Sequence, residues 1–154
     1  MGYRALSTDE IDAQVRETTN IDYCAKFGGS SVANADRMLE VFKLVKEQYV
    51  DKGETPAVVL SAMGKTTNNL LASGQKALKE GKVDIEYVKK LTTETIKQLD
   101  VPEVQKEIDL LLKELSSLLQ GVTMLKELSP RSNDYLVSFG ERISTRIFAA
   151  YCNK

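Results

Sequence analysis

The 154-residue chain contains no histidine. That absence excludes Ser-His-Asp and Cys-His nucleophilic catalysis and every histidine-ligated metal site. Any chemistry must run on lysine, carboxylates, hydroxyls and backbone groups. Cysteine is scarce too. Cys24 and Cys152 are too few and too far apart to suggest a disulfide framework or a zinc site, so reduced thiols in an intracellular compartment are expected. No apolar run approaches the roughly 20 residues that a bilayer span needs, and a soluble chain is expected. An excess of either charge is also missing: 21 Lys and Arg stand against 22 Asp and Glu, a net charge of -1. Without a basic field, neither nucleic acid nor an anionic membrane is expected as a partner. The remainder, 42% hydrophobic and 28% charged, suffices for one globular domain with a core.

Residues 1–22 are polar and mixed in charge, and lack the apolar centre of a signal peptide. Asp9, Glu10, Asp12 and Glu17 argue against an organelle transit peptide. A short helix nucleated near Ser7-Thr8-Asp9-Glu10 is expected there.

The most informative stretch follows. Residues 21–27 read as a strand that breaks at Lys26-Phe27-Gly28-Gly29-Ser30-Ser31-Val32 into a helical pattern. A strand passing through glycines to a helix start aims several backbone N–H groups at one point, which is an anion site, and Lys26 adds a mobile positive charge. Glycine pairs also serve tight turns, so the motif alone does not decide. From Val32 onward Ala35, Met38, Leu39, Phe42, Val45 and Tyr49 share one helical face. Gly53 and Pro56 end that helix, and residues 57–60 form an apolar β-branched run, expected to be a strand covered on both faces. Strand, helix and strand make a right-handed parallel unit. Its strand ends share one edge of the sheet, where ligands bind in open α/β sheets. The loop Ser61-Ala62-Met63-Gly64-Lys65-Thr66-Thr67-Asn68 is therefore expected beside the Lys26 loop.

Gly64-Lys65-Thr66 resembles the tail of a P-loop, but Val59 stands where that motif needs its first glycine, so the assignment fails. For Thr66 or Thr67 taken alone, capping a helix is as good a reading as a functional role. Further on, residues 70–78 continue as a helix stopped near Gly81, and Asp84 is placed as a cap. Ile85, Val88, Leu91, Ile96 and Leu99 then face inward. A helix from Pro102 carries the stripe Val104, Ile108, Leu111, Leu115 and Leu118 up to Gly121. Residues 84–120 read as an antiparallel helical hairpin on the sheet, with a dimerisation or lid role as the other reading. Pro130 breaks the chain, and Leu136, Phe139, Ile143, Ile147 and Ala150 mark a last helix.

Within that helix Glu141 follows Gly140. A lone helical glutamate is usually solvated, with Arg142 and Arg146 as ordinary charge partners. A glycine inside a helix, however, costs about 1 kcal/mol relative to alanine. Its presence beside a carboxylate suggests close approach by another backbone or a ligand.

Taken together, three segments resemble the aspartate kinases of the amino acid kinase superfamily. They are residues 26–32, residues 59–68, and Asp134-Tyr135-Leu136-Val137-Ser138-Phe139-Gly140-Glu141 with Ser144-Thr145-Arg146. The match runs in order from about Tyr23 to the end, in wording nearest to the lysine-sensitive, single-function plant enzymes. The resemblance implies a three-layer αβα amino acid kinase (carbamate kinase-like) fold, with a parallel sheet core and a helical insertion. Residues 1–20 would be an extension. Residues 21–154 would be the N-terminal part of the catalytic domain, without the C-terminal nucleotide-binding part or the ACT domains. It also implies roles. Lys26 would bind the ATP phosphates and stabilise charge in transfer, with Gly28, Gly29 and Ser30 as the phosphate cradle. Ser61 and Thr67 would lie near the substrate L-aspartate, and Glu141 would hold its ammonium group. No residue is assigned to metal.

The implied reaction converts ATP and L-aspartate to ADP and 4-phospho-L-aspartate, with Mg²⁺ bridging the phosphates, at the head of lysine, threonine and methionine biosynthesis. A carboxylate acceptor with a reference pKa near about 4 is ionised at neutral pH and needs no general base, which agrees with the missing histidine. Catalysis would rest on positioning and cation placement. The segments expected to hold adenine, ribose and the substrate α-carboxylate lie beyond this match, so little or no kinase activity is expected of the chain alone. Other expectations are a homo-oligomer in the full-length protein and a location in the cytoplasm or plastid stroma. The competing readings are another amino acid kinase, such as a glutamate or acetylglutamate kinase, and a non-catalytic fragment or regulatory partner of a full-length aspartate kinase.

Overall fold

The computed structural model describes residues 21–154. The helix expected near Ser7 lies outside the described residues. Strand β1 (Tyr23–Phe27) pairs in parallel with β2 (Pro56–Leu60), with Lys26 opposite Val59 and Phe27 opposite Leu60. Between them runs α1 (Ala35–Gln48), and after β2 come α2 (Thr66–Glu80), α3 (Glu86–Leu99), α4 (Gln105–Leu125) and α5 (Pro130–Cys152).

The helices form where the apolar periodicity places them, and their ends have local causes. Helix α1 starts at Ala35 rather than Val32, because the Asn34 side chain accepts from the Arg37 N–H at 3.0 Å and sets the cap there. Gly81 closes α2 in the left-handed conformation (φ 69°), which a side chain would resist. At α3 the cap position falls on Ile85, one residue past the expected Asp84. The Asp84 carboxylate still accepts from the Glu86 N–H at 3.3 Å, and it also pairs with Lys76 at 2.6 Å. Pro130 begins α5 as its first residue behind the Ser129 cap, where its missing N–H costs nothing. The expected stop at Gly121 is not observed. Val122 continues the buried stripe of α4, and the helix ends only at Lys126. Burial outweighs the weak helix propensity of one glycine.

Helix α5 is the centre of the core. Leu136, Phe139, Ile143 and Ile147 are fully buried against Leu70 of α2 and Ile108, Leu115 and Leu119 of α4. Burying each such side chain contributes about 1.5–3 kcal/mol. Gly74 lets α2 cross α5 closely, since a Cβ there would lie 2.6 Å from a Leu136 methyl. The pair α3–α4 packs chiefly against α1, α2 and α5, not on the sheet as expected. The sheet is also less covered than its sequence suggests. Leu60 is buried, but Val59 is 48% exposed, and Cys24 and Lys26 on the same face are exposed. Among the described residues the helices cover one face of β2, so its apolar run overstated the covering.

Candidate functional site

The two strand-end loops are joined directly. The Phe27 carbonyl accepts from the Ser61 N–H at 3.0 Å, one step beyond the strands, and the Gly29 carbonyl accepts from the Gly64 N–H at 3.0 Å. This is the neighbourhood that a parallel connection dictates. The glycine pair divides its work. A Cβ on Gly29 would lie 2.8 Å from the Ala62 carbonyl oxygen and 3.3 Å from that of Gly64, so no side chain fits. A Cβ on Gly28 would meet nothing within 4 Å. Gly28 instead borders open space, and its carbonyl takes the Ser31 N–H at 2.9 Å in a tight turn. Lys26 and Ser30 are exposed on either side of this turn. Because α1 begins at Ala35 with its own side-chain cap, Lys26 and the Gly28–Ser31 loop lie ahead of that helix and not in its first turn.

Helix α5 supplies the third wall. A Cβ on Gly140 would lie 2.5 Å from the Ala62 Cβ, so the glycine permits the close backbone approach that its place beside Glu141 suggested. Ala62 is thus held between Gly29 and Gly140. The Glu141 Oε1 accepts from the Ala62 N–H at 3.3 Å, and the buried Ser144 hydroxyl donates to the Ser61 carbonyl at 2.8 Å. Ser61 and Glu141 are therefore brought together, both half-buried. Thr66 belongs to the fold: it is buried and donates its hydroxyl to the Met63 carbonyl at 2.6 Å. Neither threonine is the cap of α2, a position that falls on Lys65 without a side-chain hydrogen bond. Thr67 lies half-buried in the uncapped first turn, where the helix dipole favours negative charge.

Arg142 and Arg146 are not partners of Glu141. They reach across to α4, where Arg142 pairs with Glu114 at 2.9 Å and Arg146 with Glu107 at 2.5 Å. The Tyr135 hydroxyl also donates to Glu114, and the Arg142 guanidinium lies 4.7 Å from the centre of the buried Phe139 ring. Tyr135 first, and Arg142 next, hold the Glu114 carboxyl below its ordinary value. Burial pulls the Arg142 pKa down, but Glu114 and Tyr135 outweigh it and raise the guanidinium above its usual range. These contacts fix α5 on its core side and leave Glu141 facing the loops. Sequence reasoning placed Ser144 and Ala62 in the matching segments but assigned neither a role in the site. The signal for Ser144 was its place three residues after Glu141, hence on the same helix face.

Parallel strands whose end loops meet a glycine-bearing helix define an α/β protein with its candidate site at that edge of the sheet. The model of the amino acid kinase family matches residues 24–154, and the chain belongs to that family. Aspartokinase 1, chloroplastic, of Arabidopsis thaliana is 51% identical over 135 residues, which are 83% of this chain and 23% of that protein. The crystal structure of E. coli aspartokinase III in complex with lysine and aspartate superposes with a TM-score of 0.71 at 27% identity, over 88% of this chain and 29% of that one. The same enzyme in complex with aspartate and ADP gives 0.70 at 27% identity, over 85% and 28%. The chain thus spans about a quarter of the length of these relatives.

Proposed function

We propose that this chain forms part of an aspartate kinase, carrying the phosphate cradle and one wall of the aspartate site. The reaction is transfer of the γ-phosphoryl group of ATP to the side-chain carboxylate of L-aspartate. The observation that carries this reading is the meeting of three segments, the loop after Phe27, the loop at Ser61 and Ala62, and helix α5 at Glu141 and Ser144, the last reached across 79 and 83 residues of chain. Identity of 51% to a plant aspartokinase supports it.

In this reading Lys26 places positive charge beside the transferred phosphoryl group, and the Gly28, Gly29 and Ser30 amides bind its oxygens. The open space beside Gly28, which a Cβ would fill, suits a phosphate. Ser61 and Thr67 orient the aspartate carboxylate, and Glu141 holds the ammonium group through the oxygen that Ala62 does not use. The acceptor is already an anion, so the residues here position and neutralise, and none abstracts a proton. Among the described residues no three acidic, cysteine or histidine side chains cluster as a metal site, and none is assigned to the Mg²⁺ that would accompany ATP and offset its charge.

A coupled ADP-release assay with ATP, Mg²⁺ and L-aspartate tests the reading, alongside nucleotide and aspartate binding by calorimetry. We expect binding that Lys26→Ala weakens for nucleotide and Glu141→Gln weakens for aspartate, with little or no turnover by the chain alone. Binding of glutamate or N-acetylglutamate in preference to aspartate would favour another amino acid kinase. A second reading, a non-catalytic partner of a longer aspartate kinase, has the open sheet face at Val59 and Lys26 in its favour. Co-purification with a complete aspartate kinase separates it from the first. The chloroplastic relatives favour the plastid stroma over the cytoplasm, which a fluorescent fusion decides. Homo-oligomerisation of the longer protein is open to light scattering.

A further inference from the structure

The Ser61 carbonyl and the Ala62 N–H are the two polar groups of a single peptide unit, and α5 holds both. The Ser144 hydroxyl donates to the oxygen at 2.8 Å while the Glu141 Oε1 accepts from the nitrogen at 3.3 Å. The two side chains stand three residues apart on one helix face, so they grip opposite edges of one rigid plane. Ser144 is fully buried and Ala62 nearly so, at 2% exposed. Gly29 and Gly140 both approach Ala62 closely, the first at its carbonyl oxygen and the second at its Cβ.

We infer that Ser144 is a positioning residue for the aspartate site. It fixes the 61–62 peptide, and through that peptide it sets both the direction of the Ser61 side chain and the oxygen that Glu141 leaves available. Ser144 itself touches no substrate. Loss of its hydroxyl removes the only side-chain donor to the Ser61 carbonyl among the described residues. The peptide then tilts, the Ala62 N–H swings from Glu141, and the carboxylate loses its fixed orientation. The inference rests on the proposed aspartate site for its substrate and on geometry alone for the clamp.

The test uses the whole 154-residue chain in three forms: wild type, Ser144→Ala and Ser144→Thr, the last keeping the hydroxyl. Hydrogen exchange at the Ala62 amide reads the clamp without any ligand. It should quicken about fivefold in Ser144→Ala, the loss of roughly one neutral hydrogen bond, and recover in Ser144→Thr. The dissociation constant for L-aspartate should rise by a similar factor in Ser144→Ala, while that for ATP stays put. A purely structural role would move both constants together or neither, which would overturn the inference. Unchanged Ala62 exchange in a folded Ser144→Ala protein would overturn the clamp itself. The exchange effect in Ser144→Ala, found together with no aspartate binding by the wild-type chain, would instead remove the aspartate reading and leave the clamp standing.

Discussion

Gly140→Ala is the sharpest perturbation this structure offers. In an isolated helix the change should help, because alanine exceeds glycine by about 1 kcal/mol in helix propensity. Here the new methyl group would lie 2.5 Å from the Ala62 Cβ, well inside van der Waals contact. Ala62 has no free direction of retreat, since its carbonyl packs on Gly29 and its N–H is held by Glu141. Overpacking at such a place costs about 1–3 kcal/mol. If α5 shifts to relieve it, the hydrogen bond to the charged Glu141 is forfeited at about 1.5–3 kcal/mol. Setting the propensity gain against whichever of these losses applies leaves a net destabilisation of about 1 kcal/mol.

Urea unfolding followed by far-UV circular dichroism measures it. With a slope of about 2 kcal/mol/M, the midpoint should fall by about 0.5 M. Two controls separate this cause from a general intolerance of helix substitutions. Gly121→Ala lies in α4 with nothing within 4 Å of the new methyl, so it should gain the propensity term and raise the midpoint by about 0.5 M. The double variant Gly140→Ala with Ala62→Gly removes the opposing methyl and should recover a large part of the loss, a coupling of about 1 kcal/mol or more. A midpoint for Gly140→Ala equal to that of the wild type, or a double variant no better than the sum of its parts, would refute the reasoning.

Two other predictions concern the loops and the acid range. Gly29→Ala should lower the unfolding midpoint, because its methyl would meet the Ala62 carbonyl oxygen at 2.8 Å; Gly28→Ala should leave it unchanged yet weaken phosphate binding, as read by an ATP titration. Glu114 has its carboxyl depressed by Tyr135 and Arg142, so its contribution to stability is complete above the ordinary glutamate range and is lost as the pH falls through the lowered folded value. Glu114→Gln should therefore flatten that part of the acid-side slope in urea midpoints taken from pH 6 to pH 3. The pair is partly exposed, so the loss at neutral pH should stay within about 1 kcal/mol, and an unchanged acid slope would count against the pairing.

Much of this arrangement was legible in the residues themselves. The alternation of strand, amphipathic helix and strand placed two loops on one edge, and a glycine inside an apolar helical stripe announced a close approach. What escaped has a common physical character. Helix α1 starts three residues late because the Asn34 side chain wins the cap, a competition between neighbouring polar residues that periodicity does not register. Gly121 did not stop α4 because Val122 had a core to enter. The pairing of Arg142 and Arg146 with Glu114 and Glu107 depends on how α4 lies against α5, which no local pattern in either helix contains. The bare face at Val59 was hidden for the opposite reason. An apolar strand reports the burial it is suited to, not the burial that a given stretch of chain supplies.

The same distinction explains why the site and the core are one problem. Glu141 and Ser144 reach the 61–62 peptide across 79 and 83 residues of chain, a separation over which closure entropy opposes every contact. Two hydrogen bonds, each worth about 1 kcal/mol net, do not hold such a loop closed. The work falls to Phe139, Ile143 and Ile147, which are buried on the face of α5 that flanks the two polar residues. Their burial docks the helix, and docking then presents Gly140, Glu141 and Ser144 to Ala62 already in register. Substitutions that loosen the α4–α5 contact should therefore reach the grip of Glu141 and Ser144 on the 61–62 peptide before they unfold the chain. Those on the exposed face of β1 should touch Lys26 and leave Glu141 in place.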